Sequence, residues 1–349
     1  MKRTRTILVG TTAVATAAGL ALTVLPAFAA DGRGSDAGHS APHGDNGASI
    51  SVQSGGGSGR GASLFVASLN GANEVPVQGG PAVGDHDGAA LEFVKVEGDK
   101  VSVAVKWRGT DKPTALHIHQ GAKGANGGIK VDFTALLAKG KTKGKTKIKG
   151  KIKGKSKGWT GAVTGTVKVK DKAVLDAFRT DPNGFYANLH TAAFPGGALR
   201  GQFHKVTGSF AFGDALGNHQ FSVVKGKQIY ECKKGDDGKF SFQQRDVRAV
   251  LAGNIAHSFV APNSGTPQWI AHDGSAVTGS LISRTPNGAG NIPELNLKAT
   301  RSGAKRGLFA HTQEIFRLNT VGGIAPAGSC AQGAVVGVPY GADYVFIQK

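Results

Sequence analysis

Leu116-His117-Ile118-His119-Gln120-Gly121 is the stretch whose reading decides the fold. Its apolar and polar residues alternate with a period of two, the period of a strand with one buried face, so Leu116 and Ile118 point one way and His117 and His119 the other. The same alternation recurs outward from it. Val101, Val103, Val105 and Trp107 share one parity, as do Val163, Val167 and Val169. Gly- and Asp-containing turns separate these runs. A short helix is predicted over 172–178, capped by Asp171 and closed before Pro182. The chain therefore reads as all-β, with two domains of sandwich or Greek-key-barrel type.

About seventy residues downstream, 185–202 reads Phe-Tyr-Ala-Asn-Leu-His-Thr-Ala-Ala-Phe-Pro-Gly-Gly-Ala-Leu-Arg-Gly-Gln. Leu189 and Leu199 set its apolar parity and leave His190 and Arg200 on the polar one. Three imidazoles and a guanidinium are thus expected on one sheet face. Hydrogen bonding across that face is one reading of His117, His119 and His190, and metal ligation is the other. Nitrogen-only ligation suits copper, ahead of zinc. His204 shares parity with Arg200 and Gln202 and is a further candidate ligand.

With Leu69-Asn70-Gly71-Ala72-Asn73-Glu74-Val75-Pro76-Val77, these segments resemble the CHRD domain, first named in chordin, over about 63–206. The resemblance implies an all-β domain. Leu116 to Gly121 and the Gly-Ala-Leu-Arg-Gly run ending at Gly201 are also similar to the copper-strand and arginine segments of copper/zinc superoxide dismutases. That likeness implies His117 and His119 as copper ligands, joined by His190 on the matching parity, and Arg200 as the cation that steers superoxide to the metal. No counterpart of the bridging histidine or of the zinc-loop ligands is present.

Residues 1–30 read as a secretory signal. Lys2, Arg3 and Arg5 precede an apolar stretch, and Ala27-Phe28-Ala29 forms a small-x-small cleavage site. No later stretch is apolar for long enough to span a bilayer, so the mature protein is expected outside the cell with no membrane span. Residues 31–62 are rich in Gly, Ser, Asp and His and read as a flexible linker, with His39 and His43 in it. The domains expected after it are 63–207 and 208–349. Cys232 and Cys330 are the two cysteines of the chain. In an oxidising compartment they are expected to pair with each other.

The formal net charge is +19, and ten of the lysines stand in one tract at every odd position from 139 to 157. Lys139, Lys141, Lys143, Lys145, Lys147, Lys149, Lys151, Lys153, Lys155 and Lys157 are read as a solvated insertion in the first domain. Such a tract suits anionic cell-wall polymers or polysaccharides. With no aromatic residue interleaved, nucleic-acid binding there would be salt-sensitive and without sequence specificity.

In the second half, Tyr230-Glu231-Cys232, Gly265-Thr266-Pro267-Gln268-Trp269, Asp273 to Gly279, Leu318 to Gly323 and Val338 to Tyr344 occur in an order that resembles the secreted family catalogued as domain of unknown function 3455, over about 226–349. That family often has an aromatic after Ile-Pro, where Glu294 stands here. His257, Trp269, His272, Asp273 and His311 are the residues a cleft would use, although Trp269 also suits a core and Asp273-Gly274 a turn. No nucleophile elbow, phosphate loop, zinc-protease helix or paired-carboxylate signature is found, which leaves a hydrolase unsupported. Three functions remain: a metal- and polyanion-binding protein, a copper redox enzyme of the superoxide-dismutase kind, or a copper scavenger.

Overall fold

Alternation of buried and exposed positions builds a first sheet from β1 (Ser63–Asn70), β2 (Ala89–Glu97), β3 (Lys100–Arg108), β4 (Pro113–Gln120), β5 (Ile129–Asp132), β6 (Gly161–Lys168), β7 (Phe185–Thr191), β8 (Leu199–Gln202) and β9 (His204–Val206). The computed structural model describes residues 61–139 and 160–349. Strand order is β5-β4-β7-β8-β1-β2-β3-β6, with β9 paired to β1 and every pairing antiparallel. Val101, Val103, Val105 and Trp107 all lie in its core, as their parity predicts.

Two helices complete this core. α1 (Thr134–Lys139) packs against β4 and β6. Thr134 Oγ1 accepts the Leu116 amide of β4, and Leu136 lies where a Cβ on Gly165 of β6 would fall. α2 (Lys172–Thr180) starts at Asp171, whose carboxylate accepts the amides of Ala173 and Val174. It buries Phe178, with ring centroids 4.4 Å from Phe65 and 5.1 Å from both Phe185 and Phe203.

A second set of strands closes into a barrel: β10 (His219–Lys234), β11 (Phe240–Leu251), β12 (Ile255–Phe259), β13 (Pro267–Ile270), β14 (Ala276–Thr285), β15 (Glu294–Arg301), β16 (Thr312–Gly322) and β17 (Val335–Gln348). Each pairs with the next and β17 returns to β10, so this half is an up-and-down barrel without Greek-key crossings. At the β11–β12 turn, Gly253 and Asn254 take left-handed φ values of 82° and 59°, which their residue types tolerate. Cys232 of β10 and Cys330 form the expected disulfide across a sequence separation of 98. Among the described residues, no helix is long and apolar enough to cross a membrane.

Both sheets belong to one compact unit and share a third core. Val66, Leu91, Phe93, Ala104 and Val206, on the outer face of the first sheet, pack with Phe316, Leu318, Val345 and Ile347 of the barrel wall. Burial of each such side chain contributes about 1.5–3 kcal/mol. A polar seam surrounds it: Asp343 accepts from Ser68 at 2.9 Å and from Asn319 at 2.8 Å, and Asn319 accepts from Asn73 at 2.8 Å.

Candidate metal centre

Antiparallel pairing decides which side chains meet on the outer face of the first sheet. Opposite residues point the same way, and the register sets His117 opposite Asn188, His119 opposite Tyr186, and Ala115 opposite His190. His117, His119 and His190 therefore converge, each offering one ring nitrogen, all within 4.8 Å of one another. His117 Nδ1 and His190 Nε2 are 3.2 Å apart. Imidazole nitrogens bind a metal at about 2.0–2.1 Å, so two of them on one cation stand about this far apart.

The surroundings orient the rings. His119 Nδ1 meets the Gly127 carbonyl at 2.9 Å and His190 Nδ1 that of Pro195 at 3.0 Å. Donation through those bonds puts the free lone pair of each ring on Nε2, and His119 Nε2 is buried without a partner among the described residues. On His117 the roles reverse. Its Nε2 lies 3.3 Å from Thr134 Oγ1 and 3.5 Å from Asp132 Oδ1, which turns Nδ1 toward the other two rings. Carbonyl and carboxylate partners of this kind fix the tautomer of metal-binding histidines. Gly127 has to be glycine for its carbonyl to arrive there, because a Cβ would fall 1.6 Å from the Gln120 carbonyl oxygen.

Burial pushes all three histidines below their ordinary range. His117 comes down to about 4 through burial and the neighbouring His190, against the opposing pull of Asp132. His119 and His190 are lowered by burial first, against their carbonyl hydrogen bonds. Neutral imidazoles are the form a metal needs. The donor set and its orphaned nitrogen fit a nitrogen-preferring cation such as copper or zinc.

Arg200 and His204 take other places. Arg200 is 1% exposed, and its guanidinium donates to Asn126 Oδ1 and to the carbonyls of Ala122 and Ala125. Its Cζ lies 3.5 Å from the centroid of the Tyr186 ring, which also stacks on His119 at 4.9 Å. It thus stands behind the site and braces the 121–126 loop. His204 does not join the cluster. Its Nε2 pairs with Glu294 Oε2 of the barrel at 3.1 Å, which withdraws it as a fourth ligand. Glu294, where the resemblance led to an aromatic, faces the first sheet and also pairs with Lys123 at 3.3 Å.

Asp132, Thr134, Tyr186 and Asn188 complete the site and were not singled out from sequence. Asp132 and Thr134 reach it only through the β4–β5 pairing, whereas Tyr186 and Asn188 share the parity of His190 and were within reach of the same argument. Glu74, inside the quoted Leu69–Val77 motif, lies behind Arg200. Burial raises its carboxyl to about 7, against the Arg200 charge and a hydrogen bond to Asn188.

Lys139 ends α1, and Lys141 to Lys157 lie outside the described residues, as do the signal and linker segments with His39 and His43. In the barrel, Asp273 holds a turn, accepting from Ser275 and from the Leu308 amide. His272 and His311 are exposed, and His257 and Trp269 are buried.

No curated protein and no solved structure matches the chain. Family models match two stretches. The CHRD domain model covers residues 65–203, within the span the motifs outlined. The model described as "Protein of unknown function (DUF3455)" covers residues 252–348 and begins at the end of β11, later than the 226 expected from the motifs. The chain therefore carries a CHRD domain at 65–203 and a DUF3455 domain at 252–348.

Proposed function

We propose that the protein is secreted and binds copper on the CHRD sheet, with His117, His119 and His190 as ligands and the lysine tract as a contact for anionic cell-surface polymers. The observation that carries this reading is the cluster itself: three neutral imidazoles from two neighbouring strands, their nitrogens within 4.8 Å. The Gly127, Pro195 and Asp132 contacts that aim them support it. All-imidazole ligation favours copper over zinc by the affinity order of divalent ions. The disulfide agrees with an oxidising destination.

A copper-dependent enzyme of the superoxide-dismutase kind is the alternative. Three protein ligands leave coordination positions open, which a redox reaction requires. The burial of Arg200 and its engagement with backbone carbonyls favour the binding role, because a steering cation works from the surface.

Copper titration followed by electron paramagnetic resonance tests the proposal. One equivalent of Cu(II) should give nitrogen hyperfine structure, and replacing His117 and His119 together with Ala should abolish it while the far-ultraviolet dichroism stays unchanged. A signal that survives assigns the copper elsewhere, with His39 and His43 the next residues to replace. Superoxide turnover above that of free copper in the loaded wild type would move the assignment to the enzyme.

A further inference from the structure

The barrel holds a cavity of about 520 Å³ that is open on one side. That volume lies in the range of small-molecule sites, roughly 300–1,000 Å³, and eight-stranded barrels are wide enough to hold one small ligand. Gly279 keeps the space open, because a Cβ there would lie 3.0 Å from Leu297 and 3.2 Å from Trp269.

The lining is chemically one-sided. Val247, Phe259, Ile292 and Leu297 are apolar and buried, and Trp269 stacks on His257 with ring centroids 4.4 Å apart and an interplanar angle of 6°. Two cations, Arg317 and Arg284, line the cavity with no aspartate or glutamate. Arg317 points inward beside Tyr344, its partner in the β16–β17 register. Its Nε and Nη2 donate to the Pro293 carbonyl at 3.2 and 2.8 Å. Among the described residues no carboxylate pairs with it. His257 adds no charge: it donates from Nδ1 to the Gln268 carbonyl and accepts at Nε2 from Tyr344, and burial brings it down to about 3.

Two buried residues of this wall also keep a donor without an acceptor. Trp269 Nε1 and Gln228 Nε2 have no hydrogen-bond partner among the described residues, although both residues are 1% exposed. Unpaired buried donors cost about 1–3 kcal/mol each. The missing partner of this cavity is therefore an acceptor, and an anionic one.

We propose that the barrel interior binds a small aromatic or aliphatic carboxylate, its head on Arg317 and its apolar body against the Trp269–His257 stack. This site is independent of the copper centre, which lies on the other sheet.

Calorimetric titration of the mature chain with 2-naphthoate and with its neutral counterpart 2-naphthylmethanol tests this, in the presence of a chelator so that metal plays no part. Naphthoate should bind at least tenfold more tightly than the alcohol. Arg317→Gln should remove that preference while leaving alcohol binding unchanged. Leu281→Trp, at a position 54% exposed on the cavity lining, should weaken both ligands by obstructing the mouth. Equal affinity for acid and alcohol, no binding of either at millimolar concentration, or naphthoate binding indifferent to Leu281→Trp would each overturn the proposal. If Arg317→Gln does not fold, the acid–alcohol comparison and Leu281→Trp decide it alone.

Discussion

Glu92 lies on β2 opposite Ala67 and Val105, on the core face of the first sheet, fully buried, and neither carboxylate oxygen has a partner among the described residues. Burial raises it to about 8, so the folded protein holds a proton there that the unfolded chain releases near 4.5. A raised pKa stabilises fully below the unfolded value and is lost as pH rises through the folded one, which sets the window at about 4.5 to 8. Glu92→Met, similar in length and without the charge, should raise stability by about 2 kcal/mol at pH 8 and by less at pH 5. Urea midpoints of both proteins at the two pH values check this, and a gap that does not widen with pH would show the carboxyl to be solvated. The histidine cluster was legible at this scale because a two-residue period needs only neighbouring positions to read. The ion pair of His204 with Glu294 was not, since it joins residues far apart in sequence across two sheets.

Among the elements, β1 and β17 are buried on both faces. Phe65, Ala67 and Leu69 face the core of the first sheet while Val66 faces the barrel; Tyr344 and Phe346 face the barrel interior while Val345 and Ile347 face the first sheet. Tyr344 and Phe346 alternate as in a strand with one buried face, but the near-continuous apolar runs of both strands are the mark of burial on both sides. Val101 to Trp107 and the Asp171-capped helix, each local in sequence, were readable for that reason. The disulfide followed from the secretory reading together with the count of two cysteines, and it ties β10 to the segment before β17, the pair that closes the barrel. Its loop contributes up to about 4.7 kcal/mol in the chain-entropy model. Reduction should lower the melting temperature by at least about 5 °C, checked by calorimetry with and without reductant. The lysine tract leaves from α1 and returns at β6, so its deletion with a short Gly-Ser replacement should keep the fold and the copper signal. Retention on heparin at low salt should disappear, and unchanged retention would place the anion contact elsewhere.

At the scale of the whole molecule, the shared core makes the CHRD and DUF3455 domains depend on each other. Calorimetry should record a single transition for residues 58–349, and two separated transitions would show that the Val66–Phe316 core contributes little. Glu294 reports on the same seam. Burial would raise its carboxyl, but the hydrogen bond and charge of His204, the charge of Lys123 and the Asn319 amide bring it down to about 2. A lowered pKa stabilises above the unfolded value and is lost as pH falls through the folded one, so this contribution should vanish between about 4.5 and 2. Glu294→Gln should destabilise by about 3 kcal/mol at pH 7 and by little at pH 2.5, measured by denaturant unfolding at both.

The barrel has no terminal strand, because β17 hands its ladder back to β10. The first sheet ends at β5, four residues long, and at β6, with α1 packed against β4 and β6. The barrel thus leaves no strand edge on offer to a stray peptide looking for a strand to copy. In the barrel half that closure is a form of durability: no free ladder is left there on which copies of the chain could stack edge to edge.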